Sequence, residues 1–350
     1  MSATINEGKM SFSVFGRGYD DTRVDSGEGA VEDYNRYAMG ICSGCFDSTG
    51  QYLWLGCYGN GHAAGLLKYD MDDDFTEVAH SVPTSSAATV VLHASNDNNN
   101  LGLAIQGSNW WVFDLTDDSV TAYGSDANIP NYIDWGRVPY DVALDGTKFL
   151  ITLPRSQKGT QAVLVLDYSD GTFTRTVLSG YQRAGGAFIT PSLIYLFYPP
   201  EWFYQDAYIS GVTPQAVQSW GYQTEGNFTK ISMMGFGKKG RLYVPSLVYS
   251  SWRLGEYNGL KVPDFETPKP IKVIGKFASK PSISRFEFSH EKKNVGFTTD
   301  IGVFVSDFED MEKISDSSDK VYAVSGNYIV VDKGYWDSSH PSSIGIYKYR

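Results

Sequence analysis

The chain has 350 residues, of which 42% are hydrophobic and 15% aromatic, with 36 glycines and a formal charge of -11. That hydrophobic content supports a sizeable core and excludes disorder along the whole chain. The negative balance, with no Lys/Arg-rich block, excludes a nucleic-acid or anionic-membrane surface, both of which need the opposite sign.

The opening segment, MSATINEGKMSFSVF, has neither the basic region nor the continuous apolar stretch of a secretory signal. No apolar run approaches the roughly 20 residues that span a bilayer. The expectation is a soluble protein without membrane insertion, cytoplasmic or, if viral, part of a virion. Cys42, Cys45 and Cys57 are too few to staple a chain of this length. Cys42-Ser43-Gly44-Cys45 has CxxC spacing but lacks the second pair that a zinc site needs, so it reads as small residues along a buried strand.

From residue 41 onwards one pattern recurs at a spacing of roughly 45 residues, the signature of a repeat architecture. The first unit runs ICSGCFD, YLWLGCY from Tyr52, LLKYD to Asp70, then a polar turn and TEVAHS. The second has TVVLHAS, LGLAIQ from Leu101, WWVFD to Asp114 and SVTAYGS. The third has DVALDG, KFLITLP from Lys148, LVLD to Asp167 and GTFTRTVLS. The fourth begins GAFIT and SLIYLFYP from Ser192; the fifth, ISMMGFG and RLYVPSL from Arg241. The sixth has SRFEFSH, NVGFTTD from Asn294, VFVSD to Asp307 and MEKISDS, and the seventh VYAVSG, NYIVVDK from Asn327 and IGIYKYR. Asp47 to Gly50, Asp145-Gly146 and Asp170-Gly171 supply turn chemistry where hairpins need it. No helical period of 3.6 is sustained.

Seven units of four strands predict an all-β fold, a seven-bladed β-propeller of four-stranded antiparallel blades. The last unit lacks a fourth strand, and FSVFGRG (Phe12 to Gly18) is the candidate to supply it. The N-terminal strand would then close the last blade, 320–350, leaving no unpaired sheet edge and one domain over residues 1–350. A β-solenoid or two sandwiches are the alternatives that this rhythm leaves open. In ALDGTKFLITLP (143–154) and VLVLDYSDGTFTRTV (163–177) the chain resembles the YVTN-like propellers, and in rhythm the broad WD-repeat-like group. The resemblance implies the fold. The WD dipeptide occurs once, at Trp336-Asp337, and does not recur with the repeat, so the resemblance implies no particular activity.

Connections in such a blade alternate between two faces. One face would collect Tyr58, His62, Trp110, Arg155, Trp202, Phe203, Tyr204, Trp252, Arg253, Tyr335 and Trp336, with Tyr37, Trp135, Arg137 and Arg183 from inter-blade loops. Trp, Tyr and Arg are enriched at binding hot spots, and exposed aromatic patches mark interaction surfaces. The stretch YLFYPPEWFYQDAYIS, where Pro199 and Pro200 end a strand and three aromatics follow, belongs to this face. The opposite face carries Asp72 to Asp74, Asn96 to Asn100, Asp117-Asp118, Asp170 and Glu309-Asp310, which reads as ordinary polar turn material.

Catalytic signatures are weak. Glu32, Asp33, Asp134, Asp141, Glu201 and Glu225 show no metal-ligand spacing, and DMDDD at 70–74 lacks the glycine and glutamate of an EF-hand loop. There is no HExxH pair, nucleophile elbow or P-loop. The expectation is therefore a non-catalytic binding or structural module without cofactor or metal. Its aromatic face would bind a protein or glycan partner, with other virion proteins as one possibility if it is a phage-tail or capsid-surface component. The alternatives are a lactonase- or glycosidase-like propeller enzyme acting at the channel mouth, and a cytosolic WD-like scaffold.

Overall fold

A computed structural model of the chain describes residues 2–4, 11–14, 41–57, 66–73, 76–82, 89–93, 100–127, 129, 141–152, 161–178, 186–189, 193–197, 207–208, 216–220, 235–236, 241–248, 251–258, 272–279, 281, 283–289, 293–315, 320–332 and 344–349. Apart from short turns and an isolated position at 129, these residues are strands. In chain order they are β1 (Ser2–Thr4) and β2 (Ser11–Val14), then β3 (Ile41–Phe46), β4 (Tyr52–Cys57), β5 (Leu66–Asp70) and β6 (Thr76–Val78). Next come β7 (Thr89–His93), β8 (Leu101–Gln106), β9 (Asn109–Asp114) and β10 (Val120–Ser125), followed by β11 (Asp141–Asp145), β12 (Lys148–Thr152), β13 (Gln161–Asp167) and β14 (Thr172–Leu178). β15 (Gly186–Ile189), β16 (Leu193–Phe197), β17 (Ala207–Tyr208) and β18 (Ala216–Trp220) precede β19 (Gly235–Phe236), β20 (Arg241–Val248), β21 (Ser251–Asn258) and β22 (Lys272–Lys276). The chain ends with β23 (Ile283–Phe288), β24 (Val295–Thr299), β25 (Gly302–Ser306), β26 (Met311–Ser315), β27 (Lys320–Val324), β28 (Tyr328–Asp332) and β29 (Ile344–Tyr349).

The strands pair locally, each small sheet but one built from consecutive segments; the exception joins the two ends of the chain. The chain divides into two compact units. Unit 1 comprises Met1–Val138, Ser289–Glu291 and Ser318–Arg350, and unit 2 comprises Pro139–Phe288 and Lys292–Ser317.

Unit 1 holds the sheets β3-β4-β5-β6 and β7-β8-β9-β10, and a sheet ordered β1-β2-β29-β28-β27. In the last of these Phe12, Ser13 and Val14 lie opposite Tyr349, Lys348 and Tyr347, so an N-terminal strand is hydrogen-bonded to the C-terminal one. β1 then adds a further strand outside β2, which the repeat pattern had not indicated.

The segment Tyr52 to Cys57 shows why the apolar runs are continuous instead of alternating. Successive residues of a strand point to opposite faces. Leu53 and Leu55 pack with Phe46, Leu67, Tyr69 and Met71 against Tyr322, Ala323, Tyr328 and Val330 of the terminal sheet. Trp54, on the other face, packs with Cys45, Leu66 and Val82 against Ala104, Phe113 and Leu115 of the next sheet. The sheet is buried on both sides, so both sets of positions must be apolar.

Polar contacts fasten the same junction. The Trp54 indole Nε1 donates to the Leu115 carbonyl at 2.7 Å, its ring edge-on to Phe113 with centroids 4.9 Å apart. Lys68, in the middle of β5, sends its ammonium to the Thr116 carbonyl and the Asp118 carboxylate, each at 2.6 Å, and lies 4.0 Å from the Tyr52 ring centroid. The Lys68 and Asp118 side chains are only 5% and 12% exposed. Asp47 accepts the Tyr52 N–H at 2.9 Å and the Thr116 hydroxyl at 2.8 Å. Asn100 joins the network by accepting the Ser48 N–H and donating to the Thr116 hydroxyl. Asp118 and its neighbours are therefore a buried inter-sheet fastening, and the reading of this face as ordinary polar turn material is corrected there.

Unit 2 holds β11-β12-β13-β14, β19-β20-β21-β22 and β23-β24-β25-β26, antiparallel throughout, and a sheet ordered β15-β16-β18-β17. In that last sheet β16 and β18 run parallel, Leu193 facing Ala216 and Phe197 facing Trp220. The expectation of a purely antiparallel blade fails there. Pro199 and Pro200 cannot donate to a ladder, so the chain does not return directly as a hairpin after Phe197. Tyr243, Leu254, Ile274 and Phe277 pack against Val295, Phe297, Phe304 and Met311 of the neighbouring sheet. Phe297 and Phe304 stack at 5.6 Å, with Phe277 edge-on to Phe304 at 5.2 Å.

The aspartates that close the third strands share one job. Asp70, Asp114, Asp167 and Asp307 each accept the backbone N–H two residues on. This is the Asx-turn, which lets a short loop satisfy its own donors. After Asp114 and Asp167 the turns match position by position, and the residue four along lies in the left-handed region, Asp118 at φ 68° and Gly171 at φ 74°.

Removing Lys68 would strand a buried carboxylate. Lys68→Ala is expected to cost about 3–5 kcal/mol in denaturant unfolding. Asp72→Ala, on an exposed part of a related turn, is expected to stay within about 0.5 kcal/mol.

Candidate functional site

Of the aromatic and arginine residues expected on one face, Trp110, Trp252 and Arg253 lie among the described residues. Tyr37, Tyr58, His62, Trp135, Arg137, Arg155, Arg183, Trp202, Phe203, Tyr204, Tyr335 and Trp336 lie outside them. Trp110 is not a loop residue. It sits in β9, 3% exposed, with its indole over Gly124 so closely that a Cβ there would lie 2.5 Å from the ring. Ser108, in the two-residue turn, is two positions away, and that distance decides between rim and core. Trp110 is therefore withdrawn from the surface.

Trp252 and Arg253 lie near the start of β21, with Leu247 of β20 opposite Trp252 and Ser246 opposite Arg253. Alternation sends their side chains to opposite faces. Trp252 is half-buried against the cluster around Tyr243, Leu254 and Phe277, and its carbonyl accepts the Phe277 N–H at 2.8 Å. The indole is thus held on a rigid support. Its neighbour points the other way.

Arg253 meets a residue that the sequence reading missed. In β22 the partner of Leu254 is Ile274 but the partner of Arg253 is Lys276, because Gly275 is an extra residue in the ladder. This is a β-bulge with its glycine at φ 51°. A Cβ on Gly275 would overlap the Met311 side chain, so both conformation and space select glycine. The bulge sets two cations directly across from one another. Among the described residues neither has an ion-pair partner, and the Arg253 Nε is buried without a hydrogen-bond acceptor. A glycine inside a strand pattern, in KVIGK, is the signal that could have revealed the bulge.

The perturbed acids lie elsewhere and have structural causes. At Asp167 partial burial raises the pKa, but hydrogen bonds from Ser169 and Thr147 and the nearby Lys148 outweigh it and hold the carboxyl below its ordinary value. Asp117 is lowered chiefly by hydrogen bonding from Ser119. Burial raises the Tyr168 phenol, with the Asp167 charge beside it adding to the effect. Among the described residues no group of three or more His, Cys, Asp or Glu side chains could hold a metal ion. Of the acids weighed for catalysis, Asp141 is in β11 and the others lie outside the described residues. Chemically, the described part of the site, Arg253 with Lys276, can attract an anion, while Trp252 lies on the opposite face of the sheet.

No protein-family model and no curated protein sequence matches the chain. Among solved structures it is similar to the β-propeller domain of Cps50 (Swd1) from Myceliophteria thermophila, with a TM-score of 0.54 and 13% identity, over 88% of this chain and 95% of that one. Hsv2 from Kluyveromyces lactis gives a TM-score of 0.44 at 10% identity, over 89% of this chain and 98% of that one. The first likeness shows the fold, a β-propeller, and bears out the distant resemblance read from the repeat rhythm.

Gly275→Ala tests the bulge. It is expected to destabilise by about 2 kcal/mol or more in denaturant unfolding. Gly146→Ala, also at positive φ but facing open space, is expected to cost about 1 kcal/mol.

Proposed function

We propose that the chain is a single seven-bladed β-propeller over residues 1–350, closed by its N-terminal strand, and that it is a non-catalytic module whose aromatic and arginine face binds a protein partner. The propeller likeness supports the scaffold, and the recurrence of small sheets at the repeat spacing supports the blade count. The observation that carries the binding role is the start of β21. There a tryptophan is braced on the core, and the arginine beside it has no ion-pair partner among the described residues. Trp and Arg held in fixed positions are the residues that dominate protein interfaces. Cations without counter-charges among the described residues suit an acidic protein surface better than a neutral glycan. The same role would serve a virion component and a cellular scaffold alike, and the identity of the partner separates them.

Trp252 supports the core, so its truncation would confound binding with stability. The test therefore uses other members of the face. A photo-cross-linker at Glu201 is expected to give a discrete protein adduct in extract from the native source, whereas one at Asp72 gives none. Excess wild-type chain should compete the adduct away. A Trp202→Ala/Tyr204→Ala chain that melts at the wild-type temperature should fail to compete. Equal adducts from both positions, or equal competition by the variant, would rule out this face.

A further inference from the structure

We infer that Arg253 and Lys276 form a carboxylate-recognition site, which takes an acidic side chain from a peptide segment of the partner. This rests on the reading of the face as a protein-binding surface and names the chemistry that one part of it selects. Three observations point the same way.

Arg253 and Lys276 are cross-strand partners, so their side chains leave the same face of the sheet. Like charges directly opposite one another destabilise a sheet. The bulge imposes that arrangement: in a regular ladder Gly275 would lie opposite Arg253, and Lys276, one residue further on, would send its side chain to the other face. A glycine restricted by its φ and by Met311 thus maintains a juxtaposition that is unfavourable in the free chain.

The second observation is the Arg253 Nε, buried and without an acceptor among the described residues. Desolvating a charged donor and leaving it unpaired is costly, so a carboxylate that draws the guanidinium outward regains that cost. A guanidinium presents Nε and one Nη as a fork that matches the two oxygens of a carboxylate, and Lys276, which is exposed, supplies a second charge from the side.

Charge selects the ligand. The chain as a whole carries -11, which repels extended polyanions, while a local pair of cations still attracts one acidic side chain in an otherwise neutral or basic partner. A peptide with an isolated Glu or Asp fits both conditions.

The experiment follows the Arg253 Nε–Hε resonance of the full-length chain, assigned by its absence in Arg253→Lys, during titration with the peptide N-acetyl-Gly-Glu-Gly-amide. A saturable shift is expected, weakened at least about tenfold in Lys276→Gln and absent for the Gln peptide. Lys276→Glu provides an internal partner for Arg253, and is expected to raise the melting temperature while abolishing the shift. If the resonance does not respond by about 10 mM peptide, a millimolar-range limit on affinity, the inference is overturned. The cross-linking from Glu201 does not use this pair, so it still decides the wider reading separately. A phosphoserine peptide or inorganic phosphate that binds more tightly than the Glu peptide would overturn the carboxylate assignment in favour of a phosphate site.

Discussion

A sheet with two apolar faces needs a neighbour on each side, and that constraint organises what is seen here. Trp54 and its flanking leucines make the point at one position. Leu53 and Leu55 pack toward the terminal sheet while Trp54 packs toward the sheet of β7 to β10. No two-layer sandwich satisfies such a sheet, because one of its layers would turn an apolar face to water. Repeating the arrangement leads either to an open stack, whose two ends need capping, or to a ring, which has no ends. The pairing of β2 with β29 puts strands from the two ends of the chain in one sheet. In the proposed propeller that pairing removes the ends.

Apolar contact alone would let neighbouring sheets slide. Lys68 prevents this in unit 1 because its ammonium is fixed by three groups of different kinds, a carbonyl, a carboxylate and an aromatic ring. A buried ion pair adds little net stability against an apolar replacement, but it is unforgiving of misplacement, so it specifies register more than it adds energy. The Asp47, Thr116 and Asn100 network does the same at the turn edge. In unit 2 the cluster around Tyr243 and Phe277 braces Trp252 in the same way, and under the proposed binding role such bracing would reduce the ordering cost of association.

The strands were legible in the sequence because burial on both faces leaves continuous apolar runs such as YLWLG and YIVV. The Asp-capped turns were legible as well, since Asp70, Asp114, Asp167 and Asp307 recur at the same point of the repeat. What stayed hidden depended on neighbours distant in sequence. Lys68 in LLKYD looks like a solvent-facing position in an alternating strand, and nothing local says that Asp118 lies across from it. Asp117 and Asp118 are the same letter, yet one is exposed and the other buried. Trp110 read as a rim residue because it stands next to a turn, while its burial over Gly124 depends on the fourth strand of the sheet. The parallel pairing of β16 with β18 could not be read from residues that are equally good in either direction. At the candidate site the tryptophan and arginine were visible by type. The lysine that completes the cation pair was not, because a bulge sets its position.

The account stands or falls on whether the N-terminal strand is built into the last sheet. Ser13 and Lys348 are cross-strand partners, a separation at which two cysteines can be bridged. The measurement is peptide mapping of the oxidised Ser13→Cys/Lys348→Cys monomer. A propeller closed by its N-terminal strand predicts a single intrachain disulfide between positions 13 and 348, with a raised melting temperature that falls back on reduction. Free thiols at both positions under the same oxidation, or disulfides only between molecules, would contradict it and leave an open stack of sheets.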